Sequence, residues 1–417
     1  MTLAAVFTAH WRRYAARNRP LLCSAHYKAA RAVMTCRTAA LGGHAHECGE
    51  CKQTKFIYHS CNHRACSKCG GREQKDWAAA QEVKLLDRVP YFMLTFTIPS
   101  ELRAFAYKHQ AWFYEVMFKA MQQTLNEFAR DAKHLGGTPG YSAVLHTWTR
   151  EMMHHPHLHV IMPGIALSAD GLRLVRAKGD KFLFPVHALG AFFRNRMSKL
   201  IKQRDEQLQA QSKAQPEAQP EAQPEAQPEA AQITLHSQIE SRVWTTKWIV
   251  HSKAVGRGQS ALRYLARYVK KSALSEQRLL GYDEQGNVRL NCQNSTTGKW
   301  HIVTLAPDEF IRRWCLHVLP KGLMRVRHYG WHSAAGKAKL ERVQQILQQR
   351  SKPKPAKVEI SKPKCPCCGK DMQWKCKLER ESHLWEAFSK AIAAHKAAPP
   401  TTGPPPPFII TKGRAEP

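Results

Sequence analysis

The chain is short of acidic side chains. Its 417 residues carry 32 aspartates and glutamates against 64 lysines and arginines, a formal charge of +32 at pH 7. Such an excess repels itself in a compact monomer and is tolerated where a polyanion supplies the counter-charge. Nucleic acid is therefore the expected partner. Long apolar runs are missing too, since none approaches the roughly 20 residues that a membrane span needs. The basic residues are spread along the chain rather than gathered beside an apolar helix, which argues against a membrane surface. The N-terminus, Leu3 to Ala9 followed by His10-Trp11-Arg12-Arg13, has neither the basic start nor the long apolar core of a signal peptide. A cytoplasmic location is expected. No glycine loop leads into Lys-Ser/Thr, the arrangement that cradles nucleotide phosphates, so ATP-driven chemistry has no binding motif here.

In a reducing cytoplasm the 13 cysteines remain thiols, and clustered ones read as metal ligands rather than disulfides. Cys48-Gly-Glu-Cys51 and Cys66-Ser-Lys-Cys69 are two C-x2-C knuckles at a spacing found in four-cysteine zinc ribbons. The expected ligand set is Cys48, Cys51, Cys66 and Cys69, with Cys61 or His63 able to replace one member. A closed four-ligand site is structural, so Zn2+ here folds a module and performs no chemistry. Near the C-terminus, Cys365-Pro-Cys-Cys368-Gly is half of another ribbon. Cys365 and Cys368 point to a second zinc whose remaining ligands the sequence does not identify, Cys376 and His383 being nearest.

The chain divides by composition into a helical, DNA-contacting segment over 1–41, a zinc-binding module over 42–88 and a large domain over 89–349. A basic linker with the cysteine knuckle follows over 350–398, and a proline-rich tail over 399–417 is expected to be disordered. Trp11, Arg12, Arg13, Tyr14 and Arg17 suit either a nucleic-acid contact or an ordinary amphipathic helix. Within the large domain the patterning predicts strands at 90–99, 141–148, 154–162 and 243–250, and helices at 101–131, 188–211, 307–319 and 334–349. Ala-Gln-Pro-Glu repeats fill an insertion over 214–230; a proline every fourth residue forbids a helix there and leaves a solvated spacer.

Two patterns carry chemistry. In His157-Leu158-His159, strand alternation places both imidazoles on one face and Leu158 on the other, a geometry able to hold a divalent metal. Downstream, Ser260 caps a predicted helix in which Leu262, Leu265, Ala266 and Val269 share one face. Tyr264, Tyr268 and Lys271 fall on the opposite face, flanked by Arg263, Arg267 and Lys270. The two tyrosines are i, i+4 neighbours about 5–6 Å apart at Cβ, so both hydroxyls can address one site. A tyrosine with a pKa near 10 needs help to attack at neutral pH, and Lys271 together with a metal can favour the phenolate. Arg325 and Arg327 sit in a further basic segment, 320–330, read as a DNA contact.

His157-Leu158-His159-Val-Ile-Met, combined with Tyr264-x3-Tyr268-Val-Lys-Lys271, resembles the HUH endonuclease superfamily in its two-tyrosine form. The stretches His44 to Gly70, Tyr91 to Pro99, Leu145 to Trp148, Pro156 to Gly164 and Leu319 to Gly330 are similar to the rolling-circle transposases of the insertion sequence ninety-one group. The likeness runs from about residue 10 to Gly369 and breaks at the repeat. It implies an α+β fold, with an HUH endonuclease core in which the His-x-His strand is central to a mainly antiparallel sheet flanked by helices. It implies Mg2+ or Mn2+ held by His157 and His159, with His146 or His155 as candidate third ligand, and Tyr264 and Tyr268 as nucleophiles. The reaction implied is nicking and joining of single-stranded DNA through a 5′-phosphotyrosine intermediate, in a bacterial, nucleoid-associated enzyme. A plasmid relaxase or replication-initiator nickase would share the histidines and tyrosines. A zinc-containing DNA-binding regulator without chemistry would share only the cysteines and the charge.

Overall fold

The computed structural model describes residues 1–69, 79–214, 234–257, 260, 272–294, 297–349 and 362–380. The repeat beyond Ala214, the C-terminal tail and the segment with Arg263, Tyr264, Arg267, Tyr268, Lys270 and Lys271 lie outside the described residues. Helix α1 (Leu3–Arg17) begins where the Thr2 hydroxyl accepts the Ala5 N–H at 3.1 Å, satisfying one of the unpaired donors of the first turn. Its partner α2 spans Ser24–Thr35. Trp11, Tyr14 and Tyr27 are buried between them, while Arg13 and Arg17 face Asp308 at 3.4 and 3.6 Å. The aromatic side of this segment is thus core, while Arg12, Arg13 and Arg17 stay exposed.

A hairpin of β1 (Gly43–Glu47) and β2 (Thr54–Tyr58) follows. Next come β3 (Pro90–Thr97), α3 (Leu102–Lys108), α4 (Gln110–Arg130), β4 (Gly140–Trp148) and β5 (His154–Pro163). The single helix expected over 101–131 is two, divided at His109, whose backbone leaves the helical region. A small hairpin, β6 (Ile165–Leu167) and β7 (Leu174–Arg176), leads to the long helix α5 (Val186–Ala214) and then to β8 (Val250–Arg257). The strand expected at 243–250 therefore lies later. Val243 and Trp248 are apolar because they anchor a turn in the core: the Trp248 indole N–H donates to the Val243 carbonyl at 2.9 Å.

The remaining elements are a three-stranded sheet of β9 (Leu279–Tyr282), β10 (Val288–Gln293) and β11 (Trp300–Leu305), then α6 (Pro307–Cys315), β12 (Val326–Gly330), α7 (Lys337–Ile346) and β13 (Gln373–Leu378). Five strands form one wholly antiparallel sheet in the order β12-β4-β5-β3-β8, with the histidine strand in the middle. One face carries Phe92, Leu94, Phe96, Leu145, Leu158, Val160 and Met162 into a core shared with α4 and α5. Burying such aliphatic and aromatic side chains stabilises each by roughly 1.5–3 kcal/mol. Part of the opposite face packs Tyr91, Met93, Val144 and Ile161 with Trp331 and α7; the rest of that face holds the histidines. The β9–β11 sheet and α6 pack with α1 and α2 in a separate core. Among the described residues no helix is long and apolar enough to cross a membrane.

Candidate metal centres

On β5 the alternation sends Leu158 and Val160 into the core and leaves His155, His157 and His159 on the other face. Pro156 has no N–H to give a central ladder, and it sits where the β4–β5 register shifts, between the pairs His146↔His157 and Trp148↔His154. A proline in such a strand is tolerated at an irregularity of this kind. The register sets His146 of β4 directly opposite His157. Ligand nitrogens of His146, His157 and His159 all lie within 4.8 Å of one another. Of the two candidate third residues, His146 joins the pair; the His155 ring lies tilted beside His157 at 5.3 Å and stays outside that group.

Neighbouring oxygens orient the rings. His157 Nδ1–H donates to the His155 carbonyl at 2.7 Å, and His159 Nδ1 lies 3.2 Å from Thr95 Oγ1. With Nδ1 engaged in each, Nε2 is the atom presented for coordination, as in most metal-ligating histidines. Burial lowers His157 to about 4 and His159 to about 3, so both are neutral at pH 7 and able to act as ligands. Trp148 stacks on His146 at 4.4 Å, and the Arg325 guanidinium lies over Trp148 at 5.8 Å. Across β3, register brings the exposed His251 and Lys253 of β8 onto this same face. Three neutral imidazoles with no carboxylate among them suit a divalent transition-metal ion better than Mg2+, which prefers oxygen.

The expected four-cysteine site is not assembled as the spacing suggested. Cys66 and Cys69 come together with Cys61 and Cys36, all sulfurs within 4.8 Å, and Cys61 Sγ is 3.4 Å from Cys69 Sγ. Cys48 and Cys51 lie instead with Cys365 and Cys368, again within 4.8 Å. The β1–β2 hairpin carries its knuckle away from Cys66, and Cys36, just past the end of α2, takes the vacated corner. His63 is outside both sets; its Nδ1 accepts the Ala65 N–H at 3.2 Å. Cys376 is likewise outside both sets, and His383 is not among the described residues.

Of the expected DNA contacts within the described residues, Arg327 is paired through both terminal guanidinium nitrogens with Glu115 and lies over Phe118 at 4.0 Å. A phosphate would have to compete with that carboxylate. Arg325 is half-buried against Trp148, and burial lowers its pKa to about 10. Cys36 and Thr95 are the two site residues the sequence did not mark. Cys36 stands alone in sequence, and Thr95 is one of two threonines in an apolar strand.

A histidine triad on one face of a sheet and two tetrathiol clusters, in a chain of charge +32, are the features of a metal-binding protein suited to a polyanionic partner. The comparisons agree. Residues 140–339 match the family described as "Putative transposase", and residues 6–98 match the transposase zinc-binding domain. The chain is 32% identical over 333 residues to "Putative transposase y4qJ" of Sinorhizobium fredii (strain NBRC 101917 / NGR234), covering 79% of each protein. It is 27% identical over 302 residues to the transposase for insertion sequence element IS801 of Pseudomonas savastanoi pv. phaseolicola, covering 72% of this chain and 68% of that one. No solved structure matches significantly. The chain belongs to the transposases of the insertion sequence ninety-one group, with a zinc-binding domain at its N-terminal end.

Proposed function

We propose that the protein is a rolling-circle transposase with an HUH endonuclease core, which nicks and rejoins single-stranded DNA by tyrosine transesterification. The observation that carries this reading is the His146–His157–His159 group on the face of the central strand. A divalent ion held there, Mn2+ or Mg2+, would polarise the scissile phosphate and offset its developing charge. The phenolic oxygen of Tyr264 or Tyr268 forms the new P–O bond and loses its proton, with Lys271 favouring the phenolate. The bond to the 3′ oxygen breaks, and that oxygen leaves as a hydroxyl. The 5′-phosphotyrosine keeps one phosphodiester linkage for another, so no nucleotide triphosphate is consumed. Two tyrosines suit strand transfer because one can hold the donor strand while the other accepts the next.

Arg263, Arg267 and Lys270 would accompany the tyrosines as phosphate contacts.

The test is incubation with single-stranded oligonucleotides of the element ends and Mn2+, followed by denaturing electrophoresis. A covalent protein–DNA adduct is expected from the parent chain, and none from Tyr264→Phe/Tyr268→Phe. An adduct that persists in the double variant would sink the proposal, and a parent chain that binds DNA without any adduct would favour the non-catalytic regulator.

A further inference from the structure

The families matched end at residues 98 and 339, so Cys365 and Cys368 lie beyond both. Their surroundings duplicate those of Cys48 and Cys51. In the first knuckle Cys48 N–H donates to the Gln53 carbonyl at 3.0 Å and Lys52 N–H to the Cys48 carbonyl at 3.1 Å. In the other, Cys365 N–H donates to the Lys370 carbonyl at 2.8 Å and Gly369 N–H to the Cys365 carbonyl at 3.0 Å. The offsets are the same, five residues and four. The residue four past the first cysteine is left-handed in both, Lys52 at φ 54 and Gly369 at φ 73. Each knuckle is closed by an equivalent bridge, Glu47↔Thr54 in one and Lys364↔Asp371 in the other. Backbone N–H groups point at the sulfurs as well, from Cys51 and Glu50 to Cys48 and from Lys370 to Cys368.

Two like hairpins thus face one another across four thiols, with Cys48 Sγ 3.5 Å from Cys368 Sγ. Among the described residues the apolar content between them is Cys48, Cys365 and Met372, with Cys51 at the margin. The ion pairs across the contact, Lys370–Glu50 at 2.9 Å and Lys375–Glu47, are exposed, and pairs of that kind hold little. So small a unit needs a metal to stay folded.

We propose that Cys48, Cys51, Cys365 and Cys368 form a second tetrathiolate zinc site, which fastens the C-terminal segment 362–380 onto the N-terminal zinc-binding domain. Binding replaces four S–H bonds with four Zn–S bonds and releases four protons to solvent. The β1–β13 pairing, Gly43↔Leu378 through Glu47↔Gln373, is then held in place by the ion. This site does not depend on the transposition reading.

The experiment is native mass spectrometry of the full-length chain purified anaerobically under reducing conditions. Two zinc ions per chain are expected, falling to one in Cys365→Ser/Cys368→Ser and to one in Cys48→Ser/Cys51→Ser. The ion left in both variants is the one on Cys36, Cys61, Cys66 and Cys69. Undiminished zinc in the Cys365→Ser/Cys368→Ser chain would overturn the proposal. A protease site placed between Gln349 and Lys362 gives a second readout on a chain with all its cysteines. After cleavage the C-terminal fragment should co-elute with the rest, and should separate in the Cys48→Ser/Cys51→Ser background; separation from a chain that keeps all eight thiols would refute the fastening role.

Discussion

Acidification should loosen the protein through His317 in a way that one substitution isolates. His317 is buried just beyond α6. Its Nε2–H donates to the Met152 carbonyl at 2.9 Å, and its Nδ1 accepts the Thr147 hydroxyl at 3.2 Å. The neutral ring therefore satisfies both partners, and Met152, held at φ 61 in the turn before the histidine strand, depends on that bond. Burial lowers the His317 pKa from near 6.5 to about 4. The sign follows: between those values the unfolded chain takes up a proton and the folded chain does not, so stability is present above pH 6.5 and is lost as pH falls toward 4. Going from pH 7 to pH 5 costs about 2 kcal/mol, at about 1.4 kcal/mol per pH unit below the unfolded pKa. Chemical denaturation followed by tryptophan fluorescence at pH 7 and pH 5 reads it. His317→Gln should begin less stable at pH 7 by roughly 1–3 kcal/mol, since one buried partner goes unmet. It should then lose about 2 kcal/mol less than the parent on acidification. His154, His155, His157, His159, His328 and His332, also lowered by burial, titrate in both chains and cancel to first order. Equal acid losses in parent and variant would refute the reasoning.

Two further outcomes can be measured. Thr95→Val removes the oxygen beside His159 Nδ1 and should weaken Mn2+ binding by about 10–100-fold while tightly held zinc stays constant; unchanged Mn2+ affinity would show that Thr95 does not position the ring. Gly140→Ala would place a methyl group inside the Trp331 indole, which is fully buried. It should cost about 1–3 kcal/mol or more in denaturant unfolding, partly recovered by adding Trp331→Leu, whereas a neutral Gly140→Ala would mean that the Trp331 packing is absent.

Much of the central sheet was legible because its strands are short apolar runs bounded by proline or glycine, as Pro90 to Pro99 and Pro163-Gly164 illustrate. Alternation alone put His157 and His159 on one face. It could not choose between His146 and His155, because His155 shares the parity of the pair and His146 is placed by register with another strand. Apolar content misled at 243–250, where Val243 and Trp248 serve a turn. The cysteines show the same boundary. C-x2-C spacing identifies a knuckle, but which knuckles meet depends on β1 pairing with β13, a contact between opposite ends of the sequence.

The order in which these parts leave the ribosome matters. All three clustered histidines and Thr95 lie on β3, β4 and β5, neighbouring strands joined by nearby chain, and local contacts of this sort form early. Tyr264 and Tyr268 emerge about a hundred residues later, so a nascent chain would own the histidine face well before it owns the proposed nucleophiles. Strand β1 waits longer still, because β13 follows only after roughly 15–60 s of synthesis at about 5–20 residues per second. During that interval Cys48 and Cys51 stand without Cys365 and Cys368, and a chain truncated before residue 365 would keep its front knuckle open.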